Sequence, residues 1–394
     1  MVNIDPLFNW LVDGAPGATS SQEVIAGVGN GLNDAGVPVE RFSAFVRTLH
    51  PHVMGRAFHW EPGQEVKVNE ASYAFLQTPT FRNSTVAAVY ESGLVLRRKL
   101  EDPAAPRDYP VLNELASAGF TDYVGVPLRF TSGQVHACSY ATRRPGGYTE
   151  DQLAAILHVS RPLSRLAEIL ALRRTAVNFL NTYVGRNAGE RIISGKIVRG
   201  DTDSIRAVIW FSDLRGFTAL AGSVEPVILI GVLNDLFDCQ VPAIERHGGE
   251  VLKFMGDGLL AIFPMTGQEA GPLCDAALAA AEEAYEALGQ WNDKRRGAGD
   301  APIRFGLALH VGDVAYGNIG GANRLDFTCI GPAVNLASRL EGLTGKLELP
   351  VLASADFARA SSRPMRRVGA FELKGVNGAQ EVFAPTDGRG LATW

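Results

Sequence analysis

The sequence predicts two mixed α/β parts joined by a helical segment. Three observations predict it. The chain has 394 residues, room for two or three domains at roughly 150 residues each. Beyond residue 200, strand-like and helix-like runs alternate regularly. Between the two parts, Val159, Leu163, Leu166, Leu170, Val177, Leu180 and Val184 recur at alternating spacings of four and three, with Arg173 where one more apolar residue would fall.

In the first part, residues 1–150, Ser20-Ser21-Gln22-Glu23 is a capping-box pattern that opens a helix ending near Gly36. The runs RFSAFVRTL and STVAAVYESGLVLRRKL read as strands, and PVLNELASAG as a helix. DYVGVPLRF and VHACSYAT flank the turn TSGQ and read as a β-hairpin. The segment 151–200 begins with a second capping box, Thr149 with Gln152, and Pro162 is expected to break or kink its helix. The spaced apolar residues suit either a seam between two parallel helices or a helix packed on its own domain. In the third part, residues 201–385, RAVIWF is a strand and EPVILIGVLNDLFDCQVPAIERHGG a helix with Pro226 in its first turn. Two short strands, Glu250–Phe254 and Leu259–Phe263, enclose the turn Met255-Gly256-Asp257-Gly258. CDAALAAAEEAYEALGQW is a helix followed by an exposed turn NDKRRGAGDAP. RFGLALHV and DVAYGNIG read as a further hairpin, and LDFTCI as a strand before the helix AVNLASRLEGL.

Composition excludes several classes. The chain is 46% hydrophobic and 20% charged, as soluble globular proteins are. Its net charge of −5 gives no general attraction to nucleic acid or to an acidic membrane. Cys138, Cys239, Cys274 and Cys329 form no CxxC pair, which argues against a disulfide framework or thiolate metal site. The N-terminal stretch has no basic region before its apolar residues and does not read as a signal peptide. Runs such as PVILIGVLNDLF look too short and interrupted for a membrane span, so a cytoplasmic setting is expected.

Asp213 stands at the end of a strand, in FSDLRGFT, and Asp257 at the tip of the next hairpin. Two carboxylates at neighbouring strand ends can share divalent cations, since Mg²⁺ takes one or two carboxylates together with substrate phosphates. Turn capping is the plain alternative for each Asp alone. Lys253 occupies a strand position where an apolar residue would pack. Asn335 and Arg339, four apart in AVNLASRLE, share a helix face.

FSDLRGFT, EVLKFMGDGLLAIF, RFGLALHVGDVAYGNIG and DFTCIGPAVNLASRLE, in this order and at these spacings, resemble the catalytic domain of class III nucleotidyl cyclases over about residues 203–385. The resemblance implies a ferredoxin-like βαββαβ fold and two Mg²⁺ or Mn²⁺ ions held by Asp213 and Asp257, assisted by the backbone carbonyl of Leu214. It implies that Lys253, buried in its strand, reads the purine together with Thr328, where many relatives carry Asp. Thr here resembles the subgroup linked to bicarbonate-responsive cyclases. Lysine only donates hydrogen bonds, which suits N1 of adenine. Lys253 with Thr328 therefore favours ATP, and the Glu and Cys pair expected of guanylyl cyclases is absent. Asn335 would orient the ribose, Arg339 stabilise charge on the α-phosphate, and Arg304 and Lys374 hold the polyphosphate. The implied reaction is cyclisation of ATP to cyclic AMP with release of pyrophosphate. The implied assembly is a head-to-tail homodimer in which each site draws on both chains, with FLNTYVGRNAGERIISGKIVRGD as the connecting segment. A guanylate or dual-specificity cyclase and a catalytically silent receptor are the alternatives.

GFTDYVGVPLRFTSGQVHACSYATRRPGGYTEDQLAAILHV resembles the latter half of a GAF domain, a PAS-like or other small α/β sensor being the alternative. A GAF fold implies a central antiparallel sheet flanked by helices, with a pocket for an unidentified small molecule on one side. His136, Cys138 and His310 are expected to be packed side chains. His50, His52 and His59 would serve a metal or haem only under a less favoured reading.

Overall fold

The computed structural model describes residues 2–48, 53–386 and 391. Contacts divide the chain into two compact units, Met1–Phe179 and Leu180–Trp394.

The first unit contains α1 (Asp5–Val12), α2 (Ser21–Asp34), β1 (Arg41–Arg47), β2 (Gly55–Trp60), β3 (Lys67–Ala71), a 3₁₀ turn (Tyr73–Gln77), α3 (Pro79–Arg82), α4 (Thr85–Ser92), β4 (Leu96–Lys99), α5 (Pro110–Ser117), β5 (Asp122–Arg129), β6 (Val135–Thr142) and the start of α6 (Glu150–Val184). Six strands form one antiparallel sheet in the order β3-β2-β1-β6-β5-β4. Side chains alternate across a strand, so each strand divides its residues between two faces. Phe42, Ala44, Phe58, Val124, Val126, Cys138 and Tyr140 join α2 and α6 in the core. Arg41, Ser43, His59, Tyr123 and Ser139 point the other way, into a cavity of about 920 Å³.

The caps form much as expected. Glu23 N–H donates to Ser20 Oγ at 3.2 Å, and the Glu23 carboxylate reaches back to accept from Thr19 N–H. Gln152 and Thr149 close their box reciprocally at 3.1 and 3.3 Å. Two expectations fail. STVAAVYESGLVLRRKL is not one strand: Ser84 caps α4 by accepting from Ala87 N–H at 3.1 Å, and Gly93 ends it at φ +61°, leaving only Leu96–Lys99 extended. Pro162 does not interrupt α6, which runs on through it. The buried residues Ile156, Val159, Leu163 and Leu166 hold both sides of the proline against one core, which offsets the lost hydrogen bond. The first half of the apolar seam is thus packed on its own unit. His136 and Cys138 are buried in this unit; burial pushes the His136 imidazole down to about 4 and the Cys138 thiol up to about 12. His50 and His52 lie outside the described residues, and His59 hydrogen-bonds Ser43.

The second unit contains the end of α6, α7 (Arg186–Ile193), β7 (Thr202–Leu214), α8 (Phe217–Ala221), α9 (Pro226–Arg246), β8 (Glu250–Met255), β9 (Gly258–Pro264), α10 (Ala270–Gly297), β10 (Phe305–Gly320), β11 (Leu325–Ile330), α11 (Pro332–Leu347), β12 (Val351–Ser354), α12 (Ala355–Ala360), β13 (Met365–Glu372) and β14 (Ala379–Pro385). The sheet order is β13-β14-β12-β10-β7-β9-β8, with β11 paired to β10. Within it, β10-β7-β9-β8 is the fourth-first-third-second order of a βαββαβ unit, with α9 and α10 as its helices.

β10 corrects the sequence reading. RFGLALHV and DVAYGNIG are not a hairpin but one continuous strand, paired with β7 from Phe305↔Leu214 to Gly317↔Thr202. Gly312 is needed for packing, not turning: a Cβ there would meet the Ala333 Cβ of α11 at 2.5 Å. The true hairpin joins β10 to β11. α10 likewise runs past the expected turn at Asn292 to Gly297, and buried Asn292 exchanges two 2.8 Å hydrogen bonds with the Ile303 backbone. α9 is long and apolar enough, by length and composition, to cross a membrane, contrary to expectation. Its Val232, Leu236, Cys239, Ala243 and Ile244 pack in the core, while Val227, Ile228 and Ile230 are exposed. His310 is packed as expected, with Nδ1 2.7 Å from Ser354 Oγ.

Candidate active site

β7 carries Asp213 to the middle of the sheet, where its backbone lies between Gly258 of β9 and Gly306 of β10. The glycine opposite is required for room: a Cβ on Gly258 would approach Asp213 Oδ1 to 3.1 Å. Asp257 occupies the β8–β9 turn, beside Gly256 at φ +68°. Burial, then the neighbouring Asp257 carboxylate, push the Asp213 carboxyl up to about 6. A carboxyl group whose ionisation a neighbouring carboxylate disfavours forms part of a site that a cation relieves. Among the described residues no group of three or more His, Cys, Asp or Glu side chains is gathered to hold a metal. A pair of carboxylates without a third suits an ion that arrives with phosphate oxygens. Leu214, next in β7, is buried, and its neighbour Arg215 donates its backbone N–H to the Arg304 carbonyl at 2.8 Å.

Sequence reasoning passed over Arg215 and Glu341. The Arg215 guanidinium pairs with the Glu341 carboxylate and contacts Thr344 Oγ1, and it donates to the Glu341 carbonyl at 2.9 Å. Gly306 makes space for them, since a Cβ there would strike all three side chains. Burial draws the Glu341 carboxyl up to about 7, Arg215 opposes the shift, and Asp213 and Asp257 add to it. Glu341 therefore lies within electrostatic reach of the aspartate pair. The signal was available: Ala337, Leu340, Glu341 and Thr344 follow i, i+3, i+4, i+7 spacing, so the carboxylate falls on the buried stripe of α11.

Asn335 and Arg339 lie on the exposed side of the same helix. Arg339 precedes Glu341 by two residues, about 200° around an α-helix. It thus points away from the aspartates of its own chain. Arg304, just before β10, and Lys374, in the turn between β13 and β14, are also exposed.

Lys253 is not buried as expected. A β-bulge at Leu252 shifts the β8–β9 register, and bulges re-aim side chains. The Lys253 side chain is 33% exposed, with Nζ 3.8 Å from Asp326 Oδ2. Thr328 sits on β11, which packs beside β8. It is only 3% exposed, and its Oγ1 is buried without a hydrogen-bond partner among the described residues. Such orphaned hydroxyls are uncommon and call for a reason.

Residues 201–384 match the family described as the adenylate and guanylate cyclase catalytic domain. A stretch of 169 residues is 36% identical to an adenylate cyclase of Anabaena cylindrica, covering 42% of this chain and 32% of that protein. Another of 179 residues is 31% identical to adenylate cyclase 1 of Rhizobium meliloti, covering 44% of this chain and 26% of that protein. Among solved structures, a bacterial light-regulated adenylyl cyclase is 27% identical with a TM-score of 0.42, over 48% of this chain and 93% of that one. The matched segment is of mixed α/β fold and is similar to the adenylate and guanylate cyclase catalytic domain. The chain spans a third or less of the length of these curated relatives.

Proposed function

We propose that this protein is an adenylate cyclase that works as a homodimer and is regulated by its N-terminal unit. The observation that carries the reading is the opposed pair Asp213 and Asp257 at adjacent strand ends, with Asp213 pushed up to about 6. Two Mg²⁺ or Mn²⁺ ions bound there would supply Lewis-acid stabilisation of both the attacking ribose oxygen and the departing pyrophosphate. The chain's own residues supply the rest. Lys253 donates to adenine N1, and the idle Thr328 hydroxyl accepts from N6–H₂. Asn335 orients the ribose, Arg339 meets charge on the α-phosphate, and Arg304 and Lys374 hold the polyphosphate. Positioning and charge stabilisation carry most of phosphoryl transfer.

The opposite directions of Arg339 and Glu341 on α11 support sites shared between two chains. Exposed Val227, Ile228 and Ile230 of α9, with Phe254 of β8 at 52% exposure, offer the apolar surface that a second copy would cover. Val177 and Leu180, in the second half of the helical seam, are assigned to joining the two chains, while Val184 packs on its own unit. The six-stranded antiparallel sheet with a cavity on one face supports a GAF-like sensor.

One observation favours a dual-specificity cyclase as the second reading. Asp326 beside Lys253 is an acceptor that N1–H and N2–H₂ of guanine would use. The deciding experiment incubates the full chain with ATP or GTP and Mn²⁺ and identifies the cyclic product. Cyclic AMP lost in Asp213→Ala supports the reading. Full activity in that variant overturns the metal assignment, and equal turnover of both nucleotides selects the second reading.

A further inference from the structure

The geometry points to the cavity of the N-terminal unit as a binding site for an organic monocarboxylate with an aromatic or aliphatic body. This inference deepens the sensor reading of that unit and rests on it. The cavity, about 920 Å³, is at the upper end of the 300–1,000 Å³ typical of small-molecule sites.

Its floor is the sheet face turned away from the core. Strand register places His59, Ser43 and Ser139 in one transverse row, since Ser43 is paired with both others. Ser43 Oγ and His59 Nδ1 are 2.9 Å apart. With Ser43 as donor, the neutral ring keeps its N–H at Nε2. Burial, then the charge of Arg41, hold the His59 imidazole below its ordinary value. Arg41 lies one position further along β1 on the same face, near both His59 and Tyr123. The walls are apolar and aromatic, including Phe45, Phe75, Phe81 and Leu115.

Arg41 is the residue without a structural explanation. It lines the cavity, is partly buried, and has no carboxylate or carbonyl partner among the described residues. The two carboxylates at the cavity are placed otherwise: Glu70 pairs with Arg56, and Glu114 is exposed on α5. A guanidinium partly withdrawn from water and unpaired gains from a partner, and its fork matches a carboxylate with two parallel hydrogen bonds. A single unpaired cation sets the charge of the occupant at one, and the aromatic walls require a body to cover them.

The test uses the full chain and two fluorescent probes of nearly equal shape. 8-Anilinonaphthalene-1-sulfonate is a monoanion, and N-phenyl-1-naphthylamine is its neutral counterpart. Arg41→Gln is expected to weaken the anion at least about tenfold while changing the neutral probe less than about threefold, the loss of a charge-assisted pair. Arg41→Lys falls between. Ala57→Trp, which fills the floor with an indole, weakens both probes at least about tenfold. 2-Naphthoate displaces the anionic probe, and 2-naphthylmethanol does so at least about tenfold less well. Equal weakening of both probes by Arg41→Gln overturns the inference, as does anion binding that survives Ala57→Trp. If Arg41→Gln fails to fold, Ala57→Trp and the competitor pair decide alone. Fluorescence reads binding whether or not the chain cyclises a nucleotide, so failure here and failure of the cyclase reading are separable.

Discussion

Thr328→Val exchanges a hydroxyl for a methyl of nearly the same volume, at a position where the two roles of the side chain pull in opposite directions. In the folded chain, Thr328 Oγ1 is buried and unpartnered. A hydroxyl removed from water without compensation costs about 1–3 kcal/mol. At 3% exposure nearly all of that penalty falls on the folded state, so the valine is expected to stabilise the nucleotide-free protein by about 1 kcal/mol. For a unit of this size that is a rise in Tm of about 2–4 °C. If the same hydroxyl accepts a hydrogen bond from adenine, the variant loses about 0.5–1.5 kcal/mol of binding, or about 2- to 12-fold in kcat/KM for ATP. Differential scanning fluorimetry without nucleotide and steady-state cyclase kinetics measure the two effects on one preparation. A variant that gains stability and keeps full kcat/KM for ATP would refute the base-reading role. A variant that loses more than about 1 kcal/mol would refute the orphaned hydroxyl itself.

Three further outcomes are expected. Equal mixing of Asp257→Ala with Arg339→Ala chains should restore about a quarter of wild-type activity, because half the dimers are mixed and each holds one intact site; mixed dimers without activity would reject sites shared between chains. Arg215→Ala should lower stability on the order of 3 kcal/mol by stranding buried Glu341, and Arg215→Met with Glu341→Leu should recover most of it; denaturant midpoints of the three proteins test this. His310 is pushed down to about 4, chiefly by burial, so between that value and an ordinary histidine value the unfolded chain binds more protons. Its contribution to stability is complete above about pH 6.5 and is lost as pH falls, at up to about 1.4 kcal/mol per pH unit. A plot of Tm against pH that is equally steep in His310→Gln would contradict that assignment.

The sequence made the second unit legible because its strands and helices carry strong local signals. The Asp213 strand end, the Asp257 turn and the Asn335–Arg339 spacing all reappear where local patterning places them. The misses have a common physical origin. Gly312-Asp313 has turn chemistry, yet β7 supplies ladder partners on either side of it and α11 needs the missing Cβ, so the strand continues. STVAAVYES alternates like a strand, but the Ser84 cap and Gly93 stop outweigh that alternation. Pro162 survives inside α6 because tertiary packing compensates for a local defect. Arg215 and Glu341 escaped notice because their partnership spans 126 residues, and long-range pairs leave only one-sided traces in a sequence. Lys253 was displaced from its expected burial by a bulge that apolar patterning does not encode.

α11 has two working sides. Its inward carboxylate is tethered through Arg215 to the loop just after Asp213, while its outward Asn335 and Arg339 would serve the neighbouring chain in the proposed head-to-tail pair. A cation settling on one aspartate pair would tug the very rod that completes the opposite pocket. Two pockets strung on such rods would not fill independently, and metal saturation of turnover would bend away from a simple hyperbola.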